Sequence, residues 1–253
     1  MKRALLVWLT AMLACGLLAA LAYAASDYDL PVSGSARATL VEGRVLLLEK
    51  SGNSELQPGG EINAPSKVRV EKGARLELAL PEGSVVRFDS GAEFSLVKAS
   101  ADTTNRQIEV DVAMGDCWAT VKDILGDAAG GAFEVNAPTA VAGVAGTVYR
   151  LRVDAAKNAM YRVYDGKIKV SNRWRPEGTG EAGPVHAVEG PKPVAGPRKV
   201  TAEEWMKIVS AGYEFHIRAD GRYDAPEPFN RQQDAQNPWV KWNEQRDRSL
   251  GRP

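Results

Sequence analysis

The sequence predicts an all-β fold: a glycine-punctuated β-roll or solenoid-like domain with a short C-terminal helix and a disordered tail. Apolar and polar residues alternate almost without interruption from Arg37 to Asn172, which is the period of strands with one buried face. Gly73, Gly83 and Gly91 are ten and eight residues apart, the spacing of short strands joined by turns. Over that range the pattern contains no amphipathic helix of convincing length.

Residues 1–24 are predicted to be a secretory signal peptide, because Lys2 and Arg3 precede an apolar run that ends in small residues before Ala25. Two alternatives stay open. The 22 apolar residues 4–25 would also serve as an uncleaved membrane tether, and the residues before Cys15 resemble a lipidation site. We therefore expect export to the periplasm or cell surface, or an N-terminally anchored protein that faces the periplasm.

The charge balance argues against nucleic acid as a partner. The chain has 32 basic and 32 acidic residues, and loss of Lys2 and Arg3 with the leader would leave 30 basic residues. A phosphate backbone normally requires a basic patch. Cys117 would be the one cysteine left in the mature chain, and its alternation with Ala119 and Val121 predicts a buried, inert thiol.

The strands of residues 34–172 are predicted from their apolar positions. These are Val68/Val70, Leu76/Leu78/Leu80, Val86/Phe88, Phe94/Leu96, Ile108/Val110/Val112 and Phe133/Val135. The polar residues between them, such as Glu77, Glu109 and Asp111, are expected on a solvated face. By the same rule Trp118 lies opposite Cys117, which is compatible with exposure, although aromatic residues near glycine turns are more often packing anchors.

A turn rich in small residues organises the second half of this region. Its residues are Pro138, Gly143, Gly146 and Thr147, and they run into a predicted strand over residues 148–153. The glycines permit a positive φ or a close backbone approach. A second strand follows, and Asp165-Gly166 is predicted to turn it back as a hairpin. Gly146→Val is therefore expected to destabilise the fold by about 1–3 kcal/mol, as a melting curve would show.

These motifs resemble the FecR domain, named for the periplasmic part of an iron-dicitrate sensor that regulates a sigma factor. The resemblance rests on Gly143-Val144-Ala145-Gly146-Thr147, the strand pair around Asp165-Gly166, and the ladder from Val68 to Leu96, and it covers residues 34–172. Many members carry a longer or basic residue where Ala145 stands. The resemblance implies protein–protein contact in the envelope. Because the apolar segment begins at Ala4, we expect no cytoplasmic sigma-binding region.

The sequence after this domain divides into three parts. Residues 173–200 are rich in proline and glycine and are predicted to be a linker or wrapping segment. Within residues 201–223, a capping box at Thr201 and Glu204 predicts a short helix, followed by a strand over residues 213–217. Residues 224–253 are polar and proline-containing and are predicted to be disordered.

Two tryptophans complicate the prediction of a disordered tail. Trp239 and Trp242 are costly to leave in water, so one hypothesis has residues 239–242 dock onto this protein or a partner. The alternative is a tail that merely ends the chain.

The sequence predicts no enzyme, no cofactor and no metal site. The acidic residues do not cluster at calcium-loop spacing, and the glycines of the central turn lack the lysine of a phosphate-binding loop. The predicted function is a non-enzymatic exported module that binds an envelope or outer-membrane protein, for signalling or assembly, through an exposed strand edge. The alternatives are a glycan binder and a passive spacer. Candidate partner or glycan contacts are Trp118, Trp174, Trp239 and Trp242.

Overall fold

The computed structural model describes residues 34–101, 106–122, 131–144, 146–173 and 206–252. These residues are mostly β-structure, as predicted. The strands are β1 (Ser35–Glu42), β2 (Val45–Glu49), β3 (Gly52–Glu55), β4 (Glu61–Asn63), β5 (Ser66–Val70), β6 (Arg75–Ala79), β7 (Val85–Phe88), β8 (Glu93–Ala101), β9 (Arg106–Val121), β10 (Gly131–Asn136), β11 (Ala140–Val144), β12 (Thr147–Val153), β13 (Ala159–Asp165), β14 (Lys167–Asn172), β15 (Met206–Ser210), β16 (Tyr213–Ile217) and β17 (Glu227–Pro228). Two helices follow, α1 (Arg231–Asp234) and α2 (Pro238–Ser249).

The strands form two sheets that share β9. Sheet A has the order β4-β1-β6-β7-β9-β12-β13-β16-β17. Sheet B has the order β3-β2-β5-β8-β9-β10-β11-β14-β15. All of these pairs are antiparallel except β9 with β10. Since successive strands repeatedly change sheet, the chain forms a roll rather than a strictly repeating solenoid.

The long strand β9 changes sheet at Gly115. Residues 106–114 pair in sheet B and residues 115–121 pair in sheet A. Gly115 has a φ of 104°, and a Cβ added there would lie 2.5 Å from the Cα of Ala92. Only glycine fits such a close backbone approach without a shift of the neighbouring strand.

The core lies between the two sheets and uses the alternating apolar positions that the sequence predicts. Phe88 of sheet A stacks on Phe94 of sheet B, with ring centroids 3.6 Å apart. Cys117 is fully buried in this core, which confirms the prediction of an inert thiol. Burial of these side chains is the main source of stability in a fold of this kind.

The predicted central turn is a point of close backbone contact, but Asp165-Gly166 is not a hairpin turn. Gly146 has a φ of 55° and Gly166 a φ of 74°. A Cβ on Gly166 would lie 2.4 Å from the carbonyl oxygen of Gly146. The flanking strands β13 and β14 belong to different sheets, so the prediction of a hairpin was wrong, and Gly166 is the corner where the chain crosses between sheets. Gly143 lies within β11, and a Cβ there would meet nothing within 4 Å.

Two predictions for the C-terminal region were also wrong. Residues 206–210 form strand β15, which pairs with β14, instead of continuing a helix from Thr201. Ile208 and Val209 are β-branched residues that suit a strand, and pairing with a sheet edge outweighs the capping signal. Residues 201–205 lie outside the described residues. The tail predicted to be disordered contains α1 and α2, with Trp239 only 3% exposed.

Among the described residues, no helix is both long and apolar enough to cross a membrane. The predicted leader at residues 1–24, including Cys15, lies outside the described residues. The proline- and glycine-rich stretch from Trp174 to Val200 also lies outside them.

Candidate protein interaction surface

The outer face of sheet A carries large polar and aromatic side chains. They alternate along their strands with residues of the core. This set, which we call the covered face, comprises Glu77, Arg87, Trp118, Thr120, Arg150, Arg162 and Tyr164. Apart from the Arg162 side chain, which is 24% exposed, each residue is at most 6% exposed. Burial of charged side chains on this scale is rare unless each one has a partner.

The C-terminal residues 229–249, which we call the covering segment, lie over this face. Asn230 begins α1 by accepting a hydrogen bond from the backbone of Gln233. Asn237 begins α2 in the same way, by accepting from the backbone of Trp239. In α2 the residues Trp239, Asn243 and Asp247 follow each other at intervals of four, so they share one helix face. All three are buried against sheet A.

The apolar contact between the covering segment and the sheet is a cluster of its own, to which the partly buried Phe229 and Trp242 also contribute. Trp239 and Val240 pack with Trp118, Val148 and Tyr164 in a cluster separate from the main core. The rings of Trp118 and Tyr164 lie 4.5 Å apart. Most of α2 is polar, so this helix cannot be held by hydrophobic burial alone.

The carboxylate of Asp247 accepts hydrogen bonds from three side chains of the covered face. Arg87 donates through Nη2 at 2.7 Å, and Trp118 donates through Nε1 at 3.0 Å. The hydroxyl of Thr120 donates at 3.2 Å. Arg87 and Trp118 are directly opposite each other on β7 and β9, so the sheet pairing itself brings these donors together. Arg87 also donates to Asn243 at 3.3 Å.

Glu77 is the counter-charge that holds Arg87 in place. Its Oε2 accepts from Nε of Arg87 at 2.6 Å, and its Oε1 accepts from Nη2 of Arg246 at 2.9 Å. Burial acts to raise the pKa of Glu77, but the hydrogen bond from Arg246 and the charge of Arg87 outweigh it and lower that pKa to about 2. Glu77 is 1% exposed, so the prediction of a solvated residue was wrong. Glu109 and Asp111 are half-buried.

A second carboxylate of the covering segment, Asp234, lies at the other end of the face. It accepts from Nη1 of Arg162 at 2.6 Å and from the hydroxyl of Tyr164 at 2.5 Å. Nη1 of Arg150 lies 3.5 Å away. Burial lowers the pKa of Arg150, but its hydrogen bond to Asp116 outweighs this effect and raises it. Burial, together with the hydrogen bond to Asp234, raises the pKa of Tyr164.

Two cavities flank the helix α2. One of about 210 Å³ is lined by Trp118, Tyr164 and Asp165, with Glu244 and Arg248 of the helix. The other, of about 350 Å³, is lined by Gly83, Lys122, Gly146, Thr147 and Arg252, among others. The central turn predicted from the sequence therefore borders the covered face.

Two features of the described residues bear on chemistry, the thiol of Cys117 and a group of possible metal ligands. Burial raises the pKa of the Cys117 thiol, so this group stays protonated and unreactive. Donor atoms of Glu214, His216 and Glu227 lie within 4.8 Å of one another and could together hold a metal ion. Glu214, however, is already paired with Arg162. The arrangement of the covered face is suited to binding a polypeptide through paired charges and aromatic rings.

The four tryptophans predicted as contacts have different positions. Trp118 is 1% exposed beneath α2, so of the two alternatives the structure shows a packing anchor, and in this structure Trp118 cannot stack on a sugar. Trp239 docks on sheet A, in agreement with the docking hypothesis. Trp242 stacks on Trp239 at 5.3 Å, with the guanidinium of Arg75 5.0 Å from its ring. Trp174 lies outside the described residues.

Sequence reasoning missed Arg87, Arg150, Asp234 and Asp247 as members of one site. The spacing of Trp239, Asn243 and Asp247 was a usable signal, because intervals of four define a helix face. The strands carried a signal as well, since Arg87 follows Val86 and precedes Phe88 in a stretch that is otherwise apolar. The sequence does not indicate that this face of α2 packs against the covered face of sheet A.

These features define the class of protein: an all-β domain with a surface that binds a polypeptide segment. Residues 66–169 match the family model described as FecR protein. This part of the chain is therefore a FecR domain, as the sequence predicted. The match includes strands β5 to β13 and half of β14, whereas β1 to β4 and the covering segment lie outside it.

The chain is also similar to solved structures. Two crystal structures of a candidate anti-sigma factor from Parabacteroides distasonis share 15% sequence identity with it, at a TM-score of 0.44. The alignment covers 67% of this chain and 62% of that protein. No curated protein matches the chain.

Proposed function

We propose that this chain is a non-enzymatic, exported regulatory module whose FecR domain binds an envelope or outer-membrane protein. The covered face is the observation that carries this proposal. Within residues 66–169 it presents Arg87, Arg150 and Arg162 around Trp118 and Tyr164. Arginine and aromatic residues are enriched where proteins bind one another, and planar guanidinium groups pair well with carboxylates.

The N-terminal sequence supports the location that we propose. A basic start, an apolar run and small residues before Ala25 favour export. A tether through residues 4–25, or lipidation at Cys15, would keep the same domain on the same side of the membrane. In each case the FecR domain would meet proteins of the periplasm or outer membrane.

Site-specific photo-crosslinking in intact cells tests this role. A photoreactive residue is placed at Arg248 on the covering segment, at Ile208 on β15, or at Lys98 on sheet B, where all three side chains are exposed. We expect one envelope protein to be captured reproducibly from one surface and not from the others. Mass spectrometry of the mature N-terminus should find Ala25. No reproducible capture from any position would favour a passive spacer instead.

A further inference from the structure

The covering segment belongs to the same chain as the FecR domain, and it occupies the outer face of that domain as a bound peptide would. It lies outside the matched residues 66–169, yet it buries the outer face of that domain's sheet. Its two buried carboxylates, Asp234 and Asp247, each meet a separate group of donors on the sheet. The face therefore has two carboxylate-binding positions.

The donors of each position are held by the sheet itself. Glu77 fixes Arg87, which lies opposite Trp118 on the neighbouring strand. Asp116 fixes Arg150 through a hydrogen bond of 2.6 Å. Because these partners belong to sheet A, much of the donor geometry is built without the covering segment. A preorganised set of charged donors recognises a carboxylate without reorganising when the ligand arrives.

The way the segment is held favours exchange with another ligand. Its apolar side chains, Trp239 and Val240 with the partly buried Phe229 and Trp242, form a cluster that is separate from the main core. Charged and polar pairs make up much of the remaining contact, and interfaces of this kind resemble those of transient complexes rather than permanent ones. An incoming helix that supplies the same carboxylates would satisfy the same buried arginines, so neither state leaves a buried charge unpaired.

We propose that the covered face is a docking site for an acidic helix, and that the covering segment is a built-in occupant that a partner helix displaces. The partner helix carries an apolar anchor and at least one carboxylate that occupies the position of Asp247. This proposal rests on the proposed function, since it names the surface and the kind of partner. The built-in occupant keeps the site closed until such a partner is present.

The test uses the full chain and a fluorescent synthetic peptide with the sequence of residues 226–253. In the chain, Asp247→Arg places a guanidinium against Arg87 and should release the covering segment. We expect the peptide to bind this variant on the order of a hundredfold more tightly than it binds the wild-type chain, where the segment competes. A peptide that carries Asp247→Asn should lose most of this affinity.

Glu244→Arg is the matched control. It makes the same charge change on the same helix, and no hydrogen bond or ion pair of Glu244 with the sheet is seen in the described part of the chain. The peptide should bind this variant as weakly as it binds the wild type. Equally tight binding of the peptide to both variants would overturn the proposal, because it would show that the peptide responds to the added positive charge and not to release of the covering segment.

A second measurement keeps the proposal falsifiable if Asp247→Arg fails to fold. Hydrogen exchange of the wild-type chain is followed with and without excess unlabelled peptide. We expect the peptide to raise exchange in the chain's own α2 several-fold and to leave β5 and β8 of sheet B unchanged. Unchanged exchange in α2 would overturn displacement. The two proposals can fail separately. If the peptide does not displace α2, the proposed envelope partner could still be captured by photo-crosslinking at another surface. If the peptide displaces α2 but no partner is captured in cells, the docking site stands and the proposed role in the envelope fails.

Discussion

Glu77 joins two arginines from distant parts of the sequence, Arg87 of the sheet and Arg246 of the helix. Its pKa falls from an ordinary value of 4.5 to about 2. A carboxyl with a lowered pKa contributes stability that is present above its unfolded pKa and is lost as the pH falls through the folded value. The shift corresponds to about 3 kcal/mol, and the loss occurs between about pH 4.5 and pH 2.

Glu77→Gln should therefore lower the free energy of unfolding by about 3–5 kcal/mol at pH 7, because the buried Arg87 and the half-buried Arg246 lose their counter-charge. The variant should also lack the decrease in the free energy of unfolding that Glu77 causes between about pH 4.5 and pH 2. Denaturant titrations at pH 7, 5 and 3 measure both effects. Glu109→Gln is the control, since Glu109 pairs with the exposed Lys98 and should cost less than about 1 kcal/mol. Parallel pH profiles of the wild type and Glu77→Gln would contradict this account.

The glycine corners can be tested by comparing two glycines with the same kind of backbone. Gly166 and Gly212 both have a positive φ, but only at Gly166 would a Cβ meet a close neighbour. Gly212→Ala should cost about 1–2 kcal/mol for the left-handed backbone alone. Gly166→Ala should cost about 1–3 kcal/mol more, because the carbonyl of Gly146 must move. Thermal melting of both variants measures the difference. Equal melting temperatures would contradict the prediction, because they would show that the backbone at Gly146 moves aside at no cost.

Single residues show where sequence reasoning succeeds and where it stops. The buried thiol of Cys117 followed from alternation, because one face of a strand in a two-layer fold has to be buried. The same rule placed Glu77 in solvent and left the burial of Trp118 open, because alternation does not reveal that a distant helix covers the other face. The partners of Glu77 and Trp118 in the covering segment lie more than 100 positions away along the chain.

At the scale of elements, α2 depends on its cap because its apolar face is narrow. Asn237→Ala removes the hydrogen bond to the backbone of Trp239 and should cost about 1 kcal/mol. Hydrogen exchange should rise throughout α2, with little change in the strands of sheet B. Gln245→Ala, an exposed change on the same helix, is the control and should leave exchange unaltered. An equal rise in the helix and in sheet B would mean that α2 opens only when the whole domain unfolds.

Elements also differed in how well the sequence predicted them. Strands of the FecR domain such as β5 and β12 are clear because both alternation and turn glycines mark them. The sequence predicts a helix that reaches residues 206–210, because the capping signal is local and visible. The competing interaction is the pairing of these residues with β14, and the sequence does not show that pairing. The helix α2 was missed because its composition is polar, and its order depends on the arginines of a surface far away in sequence.

At the scale of the whole molecule, β9 makes the two sheets one structural unit. Its first half pairs in sheet B and its second half in sheet A, and the core between the sheets is shared. A defect in one sheet should therefore weaken the other. This distinguishes the main core from the covering segment, which forms its own cluster and which we expect to open separately.

Phe94→Ala tests this coupling, because Phe94 lies in sheet B and stacks on Phe88 of sheet A. Loss of the ring should lower the free energy of unfolding by about 3–5 kcal/mol. Hydrogen exchange in β6 and β7 of sheet A should rise by the same factor as in β5 and β8 of sheet B, since both open in one cooperative transition. Ile208→Ala, at a side chain that is largely exposed, is the control and should change neither the free energy of unfolding nor the exchange of these strands. Exchange that rises in sheet B alone would show that the sheets unfold independently and that β9 does not couple them.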